Sequence, residues 1–418
     1  MPSVFFTFIF LLQIPAEKSA VSDLNFKLGL ETYTLGQYIA EKKSTINIDN
    51  RVFKSPRWAG DLDLRPSAKM SFRDLKFVAE PRFELQPQWI PHPLTKNEFR
   101  LERNFSLTQL YASCAFSDAL NFSGGVQNFQ WGPAELMTPS NPLIHFDPRQ
   151  KSIFWVEKGR GLLKINYSLG ENFSLIALTQ IFDNKIPDWI AGYDSKYIGL
   201  LKIEFQKGGS DYIGLTGGKG DKSRVWIGEY ASLGLLDGLS VYGDARHTLG
   251  SDAFYPATTQ NGISLERIKS ESSRMESLAD LGIRFDGRLD IRGEFLINSY
   301  GFTKREFNSS LQTALLSGSL TSVESSRALH PGLELPGKYY LYQSIRINDL
   351  GPGKRITLLE RYLHSLMDQS GIGFLSTEII LNDFMLAVAE LAVPRGESNR
   401  EFTLSEGISI QAGFKFSF

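Results

Sequence analysis

Ile408, Ile410, Ala412, Phe414, Phe416 and Phe418 occupy every second position at the end of the chain, separated by Ser409, Gln411, Gly413, Lys415 and Ser417. A period of two belongs to a β-strand, whose successive side chains point to opposite faces, so this segment has one apolar and one polar face. The pattern recurs far from the end. Leu24, Phe26, Leu28 and Leu30 alternate with Asn25, Lys27, Gly29 and Glu31, and Leu289, Ile291, Phe295 and Ile297 alternate with Arg288, Asp290, Arg292 and Glu294. Helical spacing is confined to short possibilities at 261–270 and 309–320.

Two environments give every strand one apolar and one charged face. A sandwich buries its apolar faces against each other, whereas a barrel in lipid turns them outward. A sandwich built from 418 residues would need several domains, and no linker composition divides this chain. The strand-like runs also suit the roughly 9–11 residues that a tilted strand needs to cross a bilayer. The pattern therefore predicts an all-β chain forming a single transmembrane antiparallel up-and-down β-barrel of about 18 strands, within a range of roughly 16–20.

The expected strands lie near 24–34, 44–66, 72–86, 98–116, 119–131, 161–169, 172–183, 196–206 and 210–218. The others lie near 222–233, 237–247, 276–286, 288–301, 338–347, 353–367, 371–381, 383–394 and 404–418. An even count puts both termini on one side, and connections should then alternate between short periplasmic turns and long extracellular loops. Ser117-Asp118, Gly170-Glu171, Gly208-Gly209, Asp286-Gly287 and Asn382-Asp383 read as the short turns. The stretches 132–160, 184–195, 248–275 and 303–337 read as the long loops.

Residues 1–20 contain an apolar run, Val4 to Ile14, of signal-peptide length and too short to span a bilayer. They read as a signal peptide, with residues 21–418 as the barrel. No Lys or Arg precedes the run, and Lys18 stands where a small residue is preferred before cleavage.

Composition closes other routes. The 45 Lys+Arg nearly cancel the 46 Asp+Glu, so nucleic acid is not an expected partner, and the one cysteine, Cys114, supplies neither a disulfide nor a cysteine-rich metal site. The five histidines are scattered, without an HExxH pair, and no cofactor is expected. Leu215 to Ser223 (LTGGKGDKS) lacks the spacing of a phosphate-binding loop. His364 and Ser365 are adjacent on a strand and so point to opposite faces; a barrel-wall hydrolase would need another serine beside His364. The chain is not expected to be an enzyme.

Residues 121–132 (NFSGGVQNFQWG), followed by Asn141-Pro142 and Asp147-Pro148-Arg149, resemble the Trp-Gly then Asn-Pro pattern of outer-membrane channels related to the alginate-export channel. Residues 162–179 are similar to the strand, turn and strand that follow there. Phe418 on its alternating strand resembles the terminal signal that outer-membrane barrels present to their insertion machinery. The resemblance implies an eighteen-stranded porin-like channel of a Gram-negative cell outer membrane, with outer-membrane lipid and lipopolysaccharide as surroundings.

If the apolar face meets lipid, the other face lines the interior and sets what passes. Expected pore-lining residues are Arg82, Arg100, Glu102, Arg246, Arg284 and Arg288, together with Asp290, Arg292, Glu294, Tyr340, Tyr342 and Arg346. With Asp61, Asp63, Arg65, Lys69, Glu80, Glu84, Lys202, Glu204, Arg224, Asp244 and Asp280 counted among the lumen candidates, positive and negative members are close to equal, which predicts weak charge selection, with many groups paired between strands, such as Arg284 or Arg288 with Asp290 or Glu294. Tyr340 and Tyr342 offer stacking surface to a solute or, alternatively, belong to an interfacial aromatic belt, where most of the six tryptophans are expected too. The 132–160 connection is rich in apolar side chains, which favours its folding inward as a constriction, with Trp131, Asn141, Asp147, Arg149 and Trp155 marking it; a cap on the outer rim is the alternative. The expected function is diffusion or export of small or linear hydrophilic solutes, polysaccharide included. The alternative is a non-conducting barrel that binds surface polysaccharide or a partner protein through its outer loops.

Overall fold

The structure, a computed structural model, describes residues 24–40, 50, 54–91, 97–143, 158–182, 197–208, 210–221, 223–251, 253–259, 262–267, 275–316, 335–404 and 407–418. The first eleven strands are β1 (Leu24–Ile39), β2 (Trp58–Phe72), β3 (Leu75–Ile90), β4 (Glu98–Ala115), β5 (Leu120–Gln127), β6 (Arg160–Leu169), β7 (Phe173–Phe182), β8 (Ile198–Gln206), β9 (Tyr212–Gly220), β10 (Trp226–Leu236) and β11 (Leu239–Leu249). A hairpin of β12 (Phe254–Thr259) and β13 (Gly262–Arg267) stands apart from them. The wall resumes with β14 (Met275–Phe285), β15 (Leu289–Asn298), β16 (Tyr339–Leu350), β17 (Ile356–Ser365), β18 (Ser370–Asn382), β19 (Met385–Arg395) and β20 (Ser409–Ser417).

Eighteen of these strands form one sheet, each antiparallel to its neighbour in sequence, with β11 passing directly to β14. The ring closes where β20 pairs with β1, from Glu31 opposite Ser417 to Ile39 opposite Ser409. Closure removes the unpaired edge that hydrocarbon would not tolerate. The short connections at 73–74, 116–119, 170–172, 237–238, 286–288 and 383–384 lie at one rim, and the long ones at the other. The parity expected from the sequence therefore holds.

Exposure alternates as the sequence pattern requires, but the apolar residues are the exposed ones. On β8, Leu201, Ile203 and Phe205 are exposed while Lys202 is buried; on β14, Leu281, Ile283 and Phe285 are exposed while Asp280 is buried. In water such a continuous apolar surface would be strongly unfavourable, at roughly 25 cal/mol per Å². Facing acyl chains it has no such cost, and the barrel is transmembrane. Among the described residues no helix is long and apolar enough to cross a membrane. At the long-loop rim, Tyr38, Trp58, Trp89 and Phe99 stand directly opposite one another across β1 to β4, forming an aromatic belt.

The strand expectations near 44–66 and 119–131 need correction. The second strand is Trp58–Phe72: Pro66 and the small residues Ser67 and Ala68 weaken the apolar alternation, yet they pair with β1 as regularly as the rest. The fifth ends at Gln127, after which the chain leaves the wall. The region 261–270 holds β13, and the helix expected at 309–320 is α1 (Lys304–Leu316). A reciprocal cap starts α1: Thr303 donates its N–H and hydroxyl to Glu306, and the Glu306 N–H donates to Thr303 Oγ1. Phe307 and Leu311 of α1 bury themselves with Phe302 against Tyr255, Met367 and Leu404, covering part of the long-loop rim. The signal peptide expected at 1–20 lies outside the described residues.

Candidate functional site

After Gln127 the chain turns away from the wall, and residues 128–143 run across the inner face of the barrel. Two apolar clusters seat this segment. Trp131 and Leu143 pack with Leu162, Ile176, Leu178, Ile198, Leu200, Trp226 and Tyr230 on the inner faces of β6, β7, β8 and β10. Leu136 and Met137 pack with Leu278, Leu296, Tyr340, Leu363 and Phe374 on the inner faces of β14 to β18. The expectation of membrane-interface placement thus fails for Trp131 and Trp226, which are 7% and 4% exposed. Each indole covers an apolar patch inside the barrel instead.

Between the clusters, two buried carboxylates hold the backbone of the segment. Asp244 on β11 accepts the Ser140 N–H at 2.6 Å and the Ser140 hydroxyl at 3.1 Å. Glu294 on β15 accepts the Glu135 N–H at 2.7 Å, the Leu136 N–H at 2.7 Å and the Tyr242 hydroxyl at 2.6 Å. Thr216 on β9 donates to the Ser140 carbonyl at 3.2 Å. A strand-free backbone inside a barrel must find partners for its N–H and C=O groups, and these wall residues supply them. Glu135 reaches farther along the wall: it accepts from Tyr342 at 2.9 Å and Ser344 at 3.1 Å, and it pairs with Arg292 at 3.2 Å.

Two glycines permit the close approach. Gly132 has φ +94°, and a Cβ there would lie 2.2 Å from Asp244 Oδ2. Gly228 on β10 lies under the segment, where a Cβ would stand 2.9 Å from Ser140 Cα. Asn141, 1% exposed, accepts the Leu143 N–H on Oδ1 at 3.1 Å and so closes a turn around Pro142. Of the other residues marking the connection, Asp147, Arg149 and Trp155 lie outside the described residues.

The opposite wall carries paired charges. Lys415 on β20 meets Glu31 on β1 at 2.7 Å, and Tyr33 donates to Glu31. Arg65 lies 4.0 Å over the Tyr33 ring and reaches Asp63 at 2.6 Å. Arg82 on β3 bridges Asp63 at 2.8 Å and Glu84 at 2.7 Å. This ladder crosses four strands with signs alternating and no net excess.

The other sequence-derived candidates fall as follows. Arg100 and Glu102 pair at 2.9 Å on β4 towards the long-loop rim. Arg246 lies on the inner face of β11 opposite Gly228, and Arg346 lies on β16 opposite Asp290. Arg284 pairs with Asp290 at 3.1 Å and with Asp286 at 2.9 Å. Arg288 instead donates to the carbonyls of Asn348 and Asp349 at the short-turn rim, at 3.4 and 3.0 Å. Tyr340 is 0% exposed, with its hydroxyl between the Gly337 N–H and Glu401. Its ring is covered, so it has no face for a solute, and neither it nor Tyr342 belongs to an interfacial belt. The sequence placed both Glu294 and Asp244 on the lumen face but did not join them with Glu135 and Ser140, because nothing in the local pattern says which inner residue meets the segment.

His364 points outward and meets Tyr362 Oη at 3.4 Å, not a serine, while Ser365 is buried inside. Among the described residues no group of three or more His, Cys, Asp or Glu is arranged to hold a metal ion.

Solved structures share this architecture. The Pseudomonas aeruginosa OpdL crystal structure is similar at a TM-score of 0.51 and 11% identity, covering 94% of this chain and 99% of that one. P. aeruginosa OccK5 (OpdH) gives 0.53 at 10% identity, covering 94% and 98%, and P. aeruginosa OccK7 (OpdD) gives 0.54 at 9%, covering 95% and 99%. These are barrels of the OprD/Occ porins, and the likeness is one of fold. It does not confirm the resemblance to alginate-export channels. No protein-family model matches the sequence, and no curated protein matches it significantly.

Proposed function

We propose that the chain is a porin-like channel of the cell outer membrane through which small hydrophilic solutes diffuse, narrowed by the inward segment 128–143. The observation that carries this reading is the inversion of the barrel: apolar side chains outside, and inside a wall of paired charges facing an anchored segment. A water-filled path between the ladder of β20 to β3 and the segment would be lined by both signs, which favours neutral or zwitterionic solutes over simple ions of either charge. The eighteen-strand fold shared with the OprD/Occ porins supports the same class of function. The exposed Phe418, whose backbone pairs with Leu30 of the first strand, supports recognition of the last strand by the barrel-insertion machinery.

Recording from the purified protein in planar bilayers tests the proposal. Discrete conductance steps are expected, and removal of residues 133–143 should enlarge them. Steps of unchanged size would refute the constriction. A second reading rests on the two apolar clusters that pack the segment against both sides of the barrel: a plugged barrel that binds surface polysaccharide. Absent conductance in the intact protein, restored by the deletion, together with retention of glycan, would favour it.

A further inference from the structure

We propose that Ser277, His247 and Glu229 form an esterolytic site on the lipid-facing surface of the barrel, acting on an acyl ester of a membrane lipid. The proposal shares with the channel reading only the barrel's place in a membrane; it needs no pore.

The three residues come from adjacent strands, and all point outward. His247 on β11 stands directly opposite Ser277 on β14, and Glu229 on β10 lies two residues from Ile227, the partner of His247. His247 Nδ1 lies 2.8 Å from Ser277 Oγ, and Nε2 lies 3.1 Å from Glu229 Oε1. A carboxylate only accepts, so the bond to Glu229 requires the proton on Nε2. That tautomer leaves the lone pair of Nδ1 aimed at the Ser277 hydroxyl, which is the arrangement of nucleophile, base and orienting acid.

The depth suits a lipid ester. His247 is two residues from the end of β11, and Ser277 is two from the start of β14, both near the long-loop rim. Exposed apolar side chains surround them: Ile227, Leu249 and Met275. Towards the bilayer centre the facing pair Ala245 and Ala279 leaves the surface low. Four residues below Ser277, about 13 Å along the strand, begins an outer-wall groove of about 760 Å³ whose lining includes Leu281, Ile283, Gly293, Phe295 and Leu341. An acyl chain whose ester carbonyl lies at Ser277 would run down over the alanines into it.

In the reaction, Ser277 Oγ forms a bond to the ester carbonyl carbon as its proton passes to His247 Nδ1. Collapse breaks the bond to the alcohol oxygen, which leaves with that proton. Water then attacks the acyl-serine, giving one proton to His247 and returning Ser277 as the free alcohol with release of the fatty acid. The Ser277 N–H donates to Ser299 Oγ at 2.6 Å. It is therefore not a donor to the reacting oxygen, and turnover should be slower by roughly 10²–10³-fold than in a site with such a donor.

The experiment uses the full-length protein refolded into phosphatidylethanolamine vesicles, with and without lipopolysaccharide. A serine-reactive fluorophosphonate should label the wild type at Ser277, and fatty acid should be released from one of the two lipids, which identifies the source. S277A should abolish both signals, and H247F should slow labelling by about 10²-fold or more. Glu229 acts as a positioning residue that holds the proton on Nε2, so E229Q should slow labelling, and the conservative E229D, which keeps a carboxylate acceptor, should restore part of the rate. All variants should keep the wild-type conductance and heat-modifiable migration, which shows that they fold. Labelling of S277A equal to that of the wild type, no labelling of a folded wild type, or no release from either lipid above the S277A background would overturn the proposal.

Discussion

Asp244 and Ser140 are 104 residues apart in sequence, and both oxygens of the Asp244 carboxylate are used on Ser140, one on its N–H and one on its hydroxyl. Together with the grip of Glu294 on residues 135 and 136, this fixes an otherwise unpaired stretch of backbone across the lumen.

The anchor should control the channel. Hydrogen bonds to a charged group contribute about 1.5–3 kcal/mol each. Asp244→Ala combined with Glu294→Ala removes the four bonds to the segment, and single-channel recordings should show larger and noisier openings than wild type. Openings identical to wild type would mean that the segment is held by its apolar clusters alone.

Gly132 should be the most sensitive glycine of the segment. Its positive φ costs a non-glycine residue roughly 1–3 kcal/mol, and the added methyl would also strike Asp244. Gly132→Ala should therefore lower the urea midpoint of the reconstituted protein and shift its openings in the same direction as the Asp244→Ala, Glu294→Ala double variant. Gly170→Ala is the control: its φ is also positive, but no atom lies within 4 Å of the added methyl. It should cost the strain alone and leave conductance unchanged.

Arg82 balances Asp63 and Glu84, so its loss should tip the wall negative. The wild type should give a reversal potential near zero across a potassium chloride gradient. Arg82→Gln should shift it towards cation selectivity. No shift in a conducting variant would place the ion path away from this wall.

The outward face should reject charge as a function of depth. Leu281 lies mid-strand on β14 and is 53% exposed. In lipid, Leu281→Arg should cost about 2–4 kcal/mol in equilibrium refolding into vesicles, falling to roughly 0–1 near an interface. In water the same change would be close to neutral.

The fold was legible because lipid and lumen impose a period of two on every wall strand, and because the short turns carry Gly, Asp and Asn where a reversal needs them. The ends of β2 and β5 were less so. Pro66 and its small neighbours carry little hydrophobic signal, and Asn128 to Trp131 continue the alternation after the chain has left the wall. The site was legible only by face. Alternation places Glu294 and Arg292 inside, but the partners of Glu294 lie about 159 residues away on a segment with no period. His247 and Ser277 were missed for a related reason: a long connection joins β11 to β14, so no tight turn sets their register in advance.

Cysteine accessibility tests the orientation of the wall most directly. In a Cys114→Ser background, single cysteines replace Leu281 on the outer face and Lys69, whose side chain is half exposed on the inner face of β2. In reconstituted vesicles a charged, water-soluble thiol reagent should modify Lys69→Cys and leave Leu281→Cys intact, while a membrane-soluble maleimide should label Leu281→Cys. Rapid modification of Leu281→Cys by the charged reagent, with Lys69→Cys protected, would contradict a barrel that turns its apolar face to lipid.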